Sequence, residues 1–237
     1  GITMTDQNRL EELRAGLERT RADIQRFADD AGREVPQLLP VTKFHPADDI
    51  ALLGQLGITD VAENREQEAR AKAEALPDMH FHMIGQIQTK KANHVARWAH
   101  SVHSLDSEKL ARALDRGVAL AQERGQRDGI LPVFIQVSAD GDTVRGGCPL
   151  EQVSDLVDVV EELDNLELQG FMVVPPLESE PGEVFTRVKG LVGDVAKQLG
   201  RPLKLSAGMS ADLQEAIESG TDIVRVGTGI MGPRPVV

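Results

Sequence analysis

The sequence predicts a (β/α)8 barrel, the TIM-barrel form of the α/β class, with one extra helix at the N-terminus. Short apolar segments typical of buried strands alternate with amphipathic helical segments, and this alternation indicates a parallel sheet. Eight strand–helix units within 237 residues is the number that closes such a barrel. We therefore expect a single domain over residues 1–237, with Gly1, Ile2 and Thr3 a cloning remnant ahead of Met4.

The first half of the chain contains the extra helix and four of the predicted strands. Leu10, Leu13 and Leu17 recur at helical spacing within residues 6–31, and the pattern ends near Gly32. Predicted strands follow in a segment of 37–45 that ends at Lys43, and at 58–62, 80–85 and 101–105. The first predicted helix between them begins at Pro46 and ends at Gly57. The next three cover 65–76, 90–98 and 107–124, and Asp106 or Ser107 caps the last of them.

The second half repeats this alternation more regularly. Its predicted strands are 131–138, 166–174, 203–206 and 222–227, and its predicted helices are 150–163, 183–199 and 211–219. Pro40 and Pro132 fall inside strands, and because proline donates no ladder hydrogen bond, we expect both strands to pair mainly beyond it. A doubly wound open sheet is the alternative fold, although no Gly-x-Gly-x-x-Gly motif follows the first strand.

Composition and charge narrow the class of protein. The formal net charge of −12 disfavours nonspecific binding to nucleic acid or to anionic membranes, since both carry the same sign. Apolar residues make up 41% of the chain and aromatic residues 3%, so the core should be aliphatic. Cys148 is the single cysteine, which fits a reducing compartment, and no membrane span or signal peptide is evident. We expect a cytoplasmic protein.

Lys43 stands where a barrel of this kind carries its chemistry. The apolar run Leu38-Leu39-Pro40-Val41 ends in Thr42-Lys43, and functional groups of barrels lie at the carboxyl ends of the strands. A lysine after a strand can also be a solvated cap, and the chain has 26 Lys and Arg residues in all. A functional role for Lys43 therefore needs support from the rest of the chain.

Two glycine-rich segments supply a candidate phosphate site. Ser206-Ala207-Gly208-Met209-Ser210 ends the seventh predicted strand, and Arg225-Val226-Gly227-Thr228-Gly229 ends the eighth. Glycines let backbone N–H groups turn toward an anion, the hydroxyls add donors, and a helix beginning near Ala211 contributes its positive end. Tight turns with helix caps would have the same composition.

Arg225 favours the phosphate-site interpretation. It interrupts the apolar strand Ile223-Val224-Arg225-Val226, where an unpaired guanidinium is costly to bury, so it should pair with a core carboxylate or face a ligand. A lysine, a phosphate site and an arginine together describe pyridoxal 5′-phosphate (PLP). The lysine amine forms a Schiff base with the aldehyde, and the arginine faces the pyridine nitrogen and disfavours its protonation.

The chain resembles the pyridoxal phosphate homeostasis family, the YggS/PROSC-like proteins, which share the alanine-racemase-like, fold-type III barrel. The resemblance covers nearly all of residues 4–232. It is carried by the following motifs: Leu39-Pro40-Val41-Thr42-Lys43, Glu63-Asn64 with Gln67-Glu68, His82-Met83-Ile84-Gly85 before Gln88-Thr89-Lys90-Lys91, His103-Ser104-Leu105-Asp106, Gly170-Phe171-Met172, and the two glycine-rich segments.

The resemblance implies a PLP site and assigns residues to it. They are Lys43 as the Schiff-base lysine, Arg225 as the pyridine-nitrogen partner, Ser206, Ser210, Gly227 and Thr228 as phosphate ligands, and Asn64 and Met209 lining the site. Three residues depart from the usual pattern: Ala62 replaces a glycine, Lys90 replaces an asparagine, and Arg145 begins an Arg-Gly-Gly segment where Lys-Ser-Gly is common. Lys90 and Arg145 concern the rim of the site.

The resemblance also implies a carrier or regulator for intracellular PLP homeostasis, holding the cofactor as a lysine aldimine and serving PLP-dependent apoenzymes. The alternative is a racemase or decarboxylase-like enzyme. Racemisation on this barrel needs a second base, normally a tyrosine, and a β-rich second domain. The chain contains no tyrosine and ends about ten residues after the last predicted strand, so we expect no catalytic residues and no robust catalysis, and we expect a monomer.

Three histidines are candidates for metal ligands. His45, His82 and His103 lie near predicted strand ends and could approach a common mouth. No His-x-x-x-His motif or carboxylate spacing accompanies them. We expect each to be buried and hydrogen-bonded, and we expect no metal site.

Overall fold

The computed structural model describes residues 4–235, and these form a barrel of parallel strands surrounded by helices. The strands are β1 (Gln37–Pro40), β2 (Asp60–Glu63), β3 (His80–Met83), β4 (Ala99–Leu105), β5 (Leu131–Ser138), β6 (Cys148–Pro149), β7 (Leu166–Val173), β8 (Lys204–Ser206) and β9 (Ile223–Val226). The helices are α1 (Met4–Asp30), α2 (Ala47–Gln55), α3 (Glu66–Ala75), α4 (Ala92–Trp98), α5 (Glu108–Glu123), α6 (Val153–Glu162), α7 (Pro181–Leu199), α8 (Leu213–Glu218) and α9 (Thr228–Met231). The cloning-remnant prediction for residues 1–3 lies outside the described residues.

The strand order confirms the barrel and excludes the open-sheet alternative. The order is β1-β9-β8-β7-β5-β4-β3-β2, and every pair is parallel. The first and last strands of this order meet at an isolated parallel bridge between Val41 and Ala62, where the Thr42 N–H donates to the Ala62 carbonyl at 3.0 Å. The short β6 pairs with the end of β5 outside this cycle.

The two prolines behave differently. β5 begins one residue before Pro132, so most of its ladder lies beyond the proline as expected. The expectation for β1 was wrong, because β1 ends at Pro40 and its ladder with β9 runs from Gln37 to that residue. The N–H groups of Gln37 and Val41 point to β9, so the position of Pro40 faces β2, where the ladder has only one bridge and a missing donor costs little.

The core is aliphatic, as composition predicts, and it has two parts. Inside the barrel lies a small cluster in which Leu39, Val41, Phe134, Met172 and Ile223 meet. The larger part lies between the strands and the helices, where the outward side of the sheet packs on the apolar faces of α1 to α8. In this arrangement the inner side chains of the strands are free to be polar at both ends of the barrel.

Helix bounds match the predictions within a few residues, with four differences. The predicted helix at 90–98 begins as a 3-10 turn, Thr89–Lys91, before α4, and the one at 150–163 begins with a second 3-10 turn before α6. Helix α8 starts two residues later than predicted, and α9 was not predicted. Ser107 caps α5 by accepting the Leu110 N–H at 3.1 Å, which confirms the predicted cap. None of the helices formed by residues 4–235 is long and apolar enough to cross a membrane.

Helix α1 is fastened to the carboxyl-terminal end of the chain. A Cβ placed on Gly16 would lie 2.6 Å from the Ile230 carbonyl oxygen of α9, so the two helices approach as closely as a glycine permits. The Arg9 guanidinium donates to the Met231 carbonyl at 2.9 Å and to the Asp49 carboxylate at 3.0 Å. The extra helix therefore supports the segment that follows the last barrel strand.

The close packing of α1 on α9 predicts the effect of Gly16→Ala on the free energy of unfolding. Alanine normally stabilises a helix interior relative to glycine by about 0.5–1 kcal/mol. At residue 16 we expect the opposite sign, a loss of about 1–3 kcal/mol, because the methyl group meets backbone rather than space. The matched control is Gly190→Ala in α7, where nothing lies within 4 Å of the added Cβ. Urea unfolding of both variants measures the difference, and equal stabilisation by both would contradict the α1–α9 packing.

Candidate functional site

Lys43 lies in a tight turn immediately after β1. The turn follows the Val41–Ala62 bridge, and Lys43 is half-buried. The next residue, Phe44, has a φ of 70°, a left-handed conformation that a bulky residue rarely adopts and that marks functional turns. The Phe44 N–H donates to the Glu68 carboxylate of α3 at 2.6 Å, which holds the backbone in this conformation. The backbone of the Lys43 turn is thus held by the neighbouring helix.

A buried charged network supports this turn from below. Lys72 of α3 donates to the Thr42 carbonyl at 3.1 Å and lies 3.0 Å from the Glu63 carboxylate and 2.7 Å from Glu68. The Thr42 hydroxyl donates to Glu63, which is fully buried. Burial raises the pKa of Glu63 to about 7, and the Thr42 hydroxyl and the Lys72 ammonium act in the opposite direction. Sequence reasoning missed this network, although the Glu68–Lys72 spacing of four residues is typical of a helical ion pair.

Asn64 follows β2 on the same side of the barrel. Its Oδ1 atom is buried and accepts no hydrogen bond from any residue in the described range 4–235. The backbone of Asn64 is packed tightly against the loop after β3, since a Cβ on Gly85 would lie 2.0 Å from the Asn64 carbonyl oxygen. A buried acceptor without a donor is costly unless a ligand supplies one.

Arg225 is buried inside the barrel. It is 2% exposed, and its guanidinium donates to the Ser206 hydroxyl at 2.8 Å and to the Val173 carbonyl at 3.3 Å. Burial lowers its pKa to about 10, with the Asp212 carboxylate acting in the opposite direction. Within residues 4–235, no carboxylate lies within 4 Å of the guanidinium. The prediction that it might pair with a core carboxylate is therefore not met in this part of the chain.

Ser206 is placed beside Arg225 rather than at the open mouth. It is fully buried, and its hydroxyl oxygen lies 2.9 Å from Nδ1 of His103 as well as accepting from Arg225. Burial, with the nearby charges of His82 and Arg225, lowers the pKa of His103 well below its ordinary value, so this imidazole is neutral. The position of Ser206 supports a role in holding Arg225, and its contact with phosphate stays a prediction.

The two glycine-rich segments lie side by side, as predicted. Gly208 has a φ of 106°, and the Met209 N–H donates to the Asp212 carboxylate at 2.7 Å, a turn that delays the start of α8. Ser210 and Thr228 are exposed, and Gly227 precedes α9. A Cβ on Gly229 would lie 3.5 Å from the Ser210 hydroxyl, which shows how close the two segments are.

Strand register brings the Lys43 turn to these segments. Pro40 pairs with Val226, and the Val41 N–H donates to the Val226 carbonyl at 2.9 Å. Both segments then continue beyond the same barrel mouth: β1 leads into the Lys43 turn, and β9 leads into Gly227 and Thr228. The amine, the buried guanidinium and the hydroxyl-bearing loops thus belong to one end of the barrel, as the sequence predicts.

The flanks of this mouth carry further cations. The Phe44 ring contacts two guanidinium groups. The Cζ atom of Arg65 lies 5.0 Å from the ring centroid, and that of Arg234 lies 4.0 Å from it. Lys90 is exposed in the 3-10 turn before α4. Arg145 lines a separate cavity of about 100 Å³ at the carboxyl end of β5.

The three weighed histidines are buried and hydrogen-bonded, as expected, but they do not share a mouth. His45 contacts Asp49 of α2 at 3.5 Å, outside the barrel. His103 lies in the interior beside Ser206. His82 points to the amino-terminal end, where its Nε2 is 2.7 Å from Asp60. The expectation of a common mouth was wrong because side-chain direction depends on strand parity and register, which position near a strand end does not reveal.

Comparison with known proteins gives consistent matches along the chain. The family described as "Alanine racemase, N-terminal domain" matches residues 16–235. A pyridoxal phosphate homeostasis protein of Corynebacterium glutamicum is 57% identical over 201 residues, which are 84% of this chain and 91% of that protein. The crystal structure of an unknown protein from Bifidobacterium adolescentis has a TM-score of 0.84 and 29% identity, covering 97% of this chain and 98% of its own. PipY of Synechococcus elongatus with PLP bound has a TM-score of 0.72 and 32% identity, covering 83% and 92% respectively.

The raised pKa of Glu63 predicts a pH dependence of stability. Because the folded state binds this proton more tightly, its stabilising contribution is fully present below the ordinary pKa of 4.5 and is lost as pH rises through about 7. Relative to Glu63→Gln, which cannot titrate there, the wild type should lose on the order of 2–3 kcal/mol of unfolding free energy between pH 4.5 and 8. Urea unfolding at several pH values measures this, with the exposed Glu123→Gln as control. Parallel profiles for wild type and Glu63→Gln would contradict the assignment.

Proposed function

The chain belongs to the pyridoxal phosphate homeostasis protein family, and on that basis we propose that it binds PLP at the Lys43 mouth of the barrel. We propose that it holds the cofactor for intracellular PLP homeostasis and does not use it for robust catalysis. The Corynebacterium glutamicum relative carries the homeostasis name, and PipY has been solved with PLP bound. The residues of this chain fit the same ligand.

The observation that carries the proposal is the buried Arg225 without a carboxylate partner in the described chain. A guanidinium 2% exposed with only neutral acceptors leaves donor capacity and positive charge directed at a ligand. The ring nitrogen of PLP is an acceptor of suitable chemistry. Next to a permanent cation that nitrogen stays unprotonated, which makes the ring a weak electron sink. Such a site suits holding PLP better than turning over amino acids.

Other features of the mouth support the same ligand. Ser210, Gly227 and Thr228 offer hydroxyl and backbone donors for the phosphate, and Met209 precedes Ser210 on the loop after β8. The unpartnered Oδ1 of Asn64 is an acceptor that a ligand hydroxyl satisfies. Arg65 and Arg234, stacked on Phe44, add positive charge near the entrance, which favours an anionic ligand although the whole chain is acidic.

Bound PLP supplies an aldehyde that condenses with a primary amine. Lys43 is the amine that we propose for this bond, because the Phe44 turn and the Glu63–Lys72–Glu68 network hold its backbone beside the β9 loop. Ser206 then acts by holding the Arg225 guanidinium, which it contacts at 2.8 Å. In this proposal the residues of the chain bind and orient the ligand, and their positive charges complement its negative charge.

The enzyme alternative lacks the tyrosine that normally serves as the second base on a barrel of this family. The chain has no tyrosine in its 237 residues, and burial lowers the pKa of the interior histidine His103, which makes it a weak base, while its Nδ1 already contacts the Ser206 hydroxyl. We therefore propose a carrier or regulator that supplies PLP-dependent apoenzymes as a monomer. An amino-acid turnover of about 1 s⁻¹ or faster, the range of ordinary enzymes, would overturn this preference.

Lys43→Ala tests the cofactor bond. We expect the purified variant to lose the yellow visible band and to yield no borohydride-trapped cofactor, while its unfolding free energy stays within about 1 kcal/mol of wild type. The control is Lys90→Ala, an exposed lysine in the 3-10 turn before α4. Peptide mapping after reduction identifies the modified residue, and a label that persists in Lys43→Ala would move the bond to another lysine.

A double variant, Ser210→Ala with Thr228→Ala, tests the phosphate site. Charge-assisted hydrogen bonds contribute roughly 1.5–3 kcal/mol each, so losing two should weaken PLP binding by about 100-fold or more. Binding of pyridoxal, which lacks the phosphate, should not change. Ser154→Ala on the exposed face of α6 is the control. Equal weakening of both ligands would place the phosphate elsewhere.

A further inference from the structure

A second polar site lies at the end of the barrel opposite Lys43. A cavity of about 230 Å³ opens there, with Asp60, His82 and His100 on one wall and Gln37 and Lys204 on the other. Gln37, Asp60 and Lys204 begin their strands and His100 is the second residue of β4, whereas the Lys43 mouth is at the carboxyl ends. His82, the third residue of β3, reaches this group through its side chain. The proposed cofactor function uses none of them.

Three side chains on this wall converge on one point. One donor atom from each of Asp60, His82 and His100 lies within 4.8 Å of the other two. The Asp60 Oδ2 to His82 Nε2 distance is 2.7 Å. His80 stacks on the His100 ring with centroids 4.1 Å apart, and its Nδ1 lies 3.5 Å from the same Asp60 oxygen. Two imidazoles and one carboxylate form a donor set typical of a first-row transition-metal or zinc site.

A β-bulge aims His100 into this group. The pairing of β3 with β4 passes from Phe81 opposite Ala99 directly to His82 opposite Ser101. His100 is therefore the extra residue of the bulge, and its side chain lines the cavity together with that of the adjacent Ser101. In a regular strand the two would point to opposite faces, and bulges are a common means of redirecting a functional side chain.

The imidazole of His82 is oriented as a ligand would be. Its Nδ1 lies 2.5 Å from the Ser101 hydroxyl, and this hydrogen bond fixes the ring direction while Nε2 faces Asp60. Metal-binding histidines commonly have this arrangement, which sets the tautomer and the ring direction. Because the Asp60 carboxylate only accepts, Nε2 carries the proton in this structure and Nδ1 accepts from the Ser101 hydroxyl. Metal binding displaces the Nε2 proton, and the tautomer with the proton on Nδ1, which then donates to Ser101, presents the Nε2 lone pair to the metal.

We propose that Asp60, His82 and His100 bind one Zn²⁺ ion, with water in the fourth position. Tetrahedral zinc with bonds of about 2.0–2.2 Å needs donors about 3.4 Å apart. The Asp60–His82 pair must open by less than 1 Å and His100 must approach, both within reach of side-chain rotation. His100 and His80 are exposed, so the ion enters from solvent.

The test is zinc binding by the untagged full-length chain, freed of metal by a chelator and of PLP. Calorimetric titration with ZnCl2 should give one ion per chain, and Co²⁺ in its place should give the intense visible bands of a tetrahedral site. His100→Gln and Asp60→Asn should each weaken zinc binding at least 10-fold. His94→Gln, a half-buried histidine of α4 that pairs with Arg70, should leave it unchanged.

The readout is the metal itself, so the result does not depend on the cofactor proposal. Far-UV circular dichroism of His100→Gln, which alters an exposed side chain, verifies that the variant is folded. Zinc should also raise the melting temperature of wild type and not that of His100→Gln. The proposal is overturned if the wild type takes up no stoichiometric zinc, or if His100→Gln and Asp60→Asn bind it as wild type does.

Discussion

Closure of the barrel at the seam between β1 and β2 is the constraint on which the rest of this structure depends. The two strands share a single bridge, Val41 with Ala62, and β8 shares a single pair with β9, whereas the other neighbouring strands in this order share two or more pairs. Side-chain hydrogen bonds connect the two strands where backbone hydrogen bonds are few, since Lys72 donates to the Thr42 carbonyl and to the Glu63 carboxylate across the seam. Removing one partner of a buried ion pair leaves an uncompensated buried charge, and this lowers the free energy of unfolding by more than the intact pair contributes to it.

The seam also explains why the proposed cofactor site lies where it does. Lys43 leaves β1 and Asn64 leaves β2 directly beyond the bridge, while the register of Pro40 with Val226 brings the β9 loop to the other side of Lys43. The network that closes the barrel therefore also holds the backbone on both sides of the candidate lysine, at Thr42 and Phe44. Glu68, a member of this network, also holds the Phe44 backbone in a left-handed conformation through a hydrogen bond of 2.6 Å, so the same residues stabilise the barrel and the proposed site.

Polar side chains pass through the barrel interior between its two mouths. Asp60, His82 and Ser101 form a bonded group at the amino-terminal end, and His103, Ser206 and Arg225 form another toward the carboxyl end. The rings of His82 and His103 are 6.1 Å apart where the groups meet. Low dielectric keeps His103 neutral, so Arg225 is the only permanent charge of the second group.

Much of the fold could be predicted because periodicity is a local property. Strand β5 was predicted at its observed bounds, Leu131–Ser138, since a short, mostly apolar segment rich in β-branched and aromatic residues and bounded by polar segments favours a buried strand. Helix α9 was missed because four residues, Thr228–Met231, contain too little periodicity and include a glycine. The late start of α8 was missed because a side chain, Asp212, caps the preceding turn.

The sequence by itself determined the barrel, its extra helix, and the residues that end the strands at the Lys43 mouth. These follow from spacing along the chain and from motifs whose members are a few residues apart. Only the tertiary structure decided that Ser206 lies under Arg225, that Glu63 is joined to Lys72, and that a bulge turns His100 toward Asp60 and His82. The reason is physical: contacts across a barrel depend on register, strand parity and side-chain direction, and a one-residue shift in any of them changes the partner.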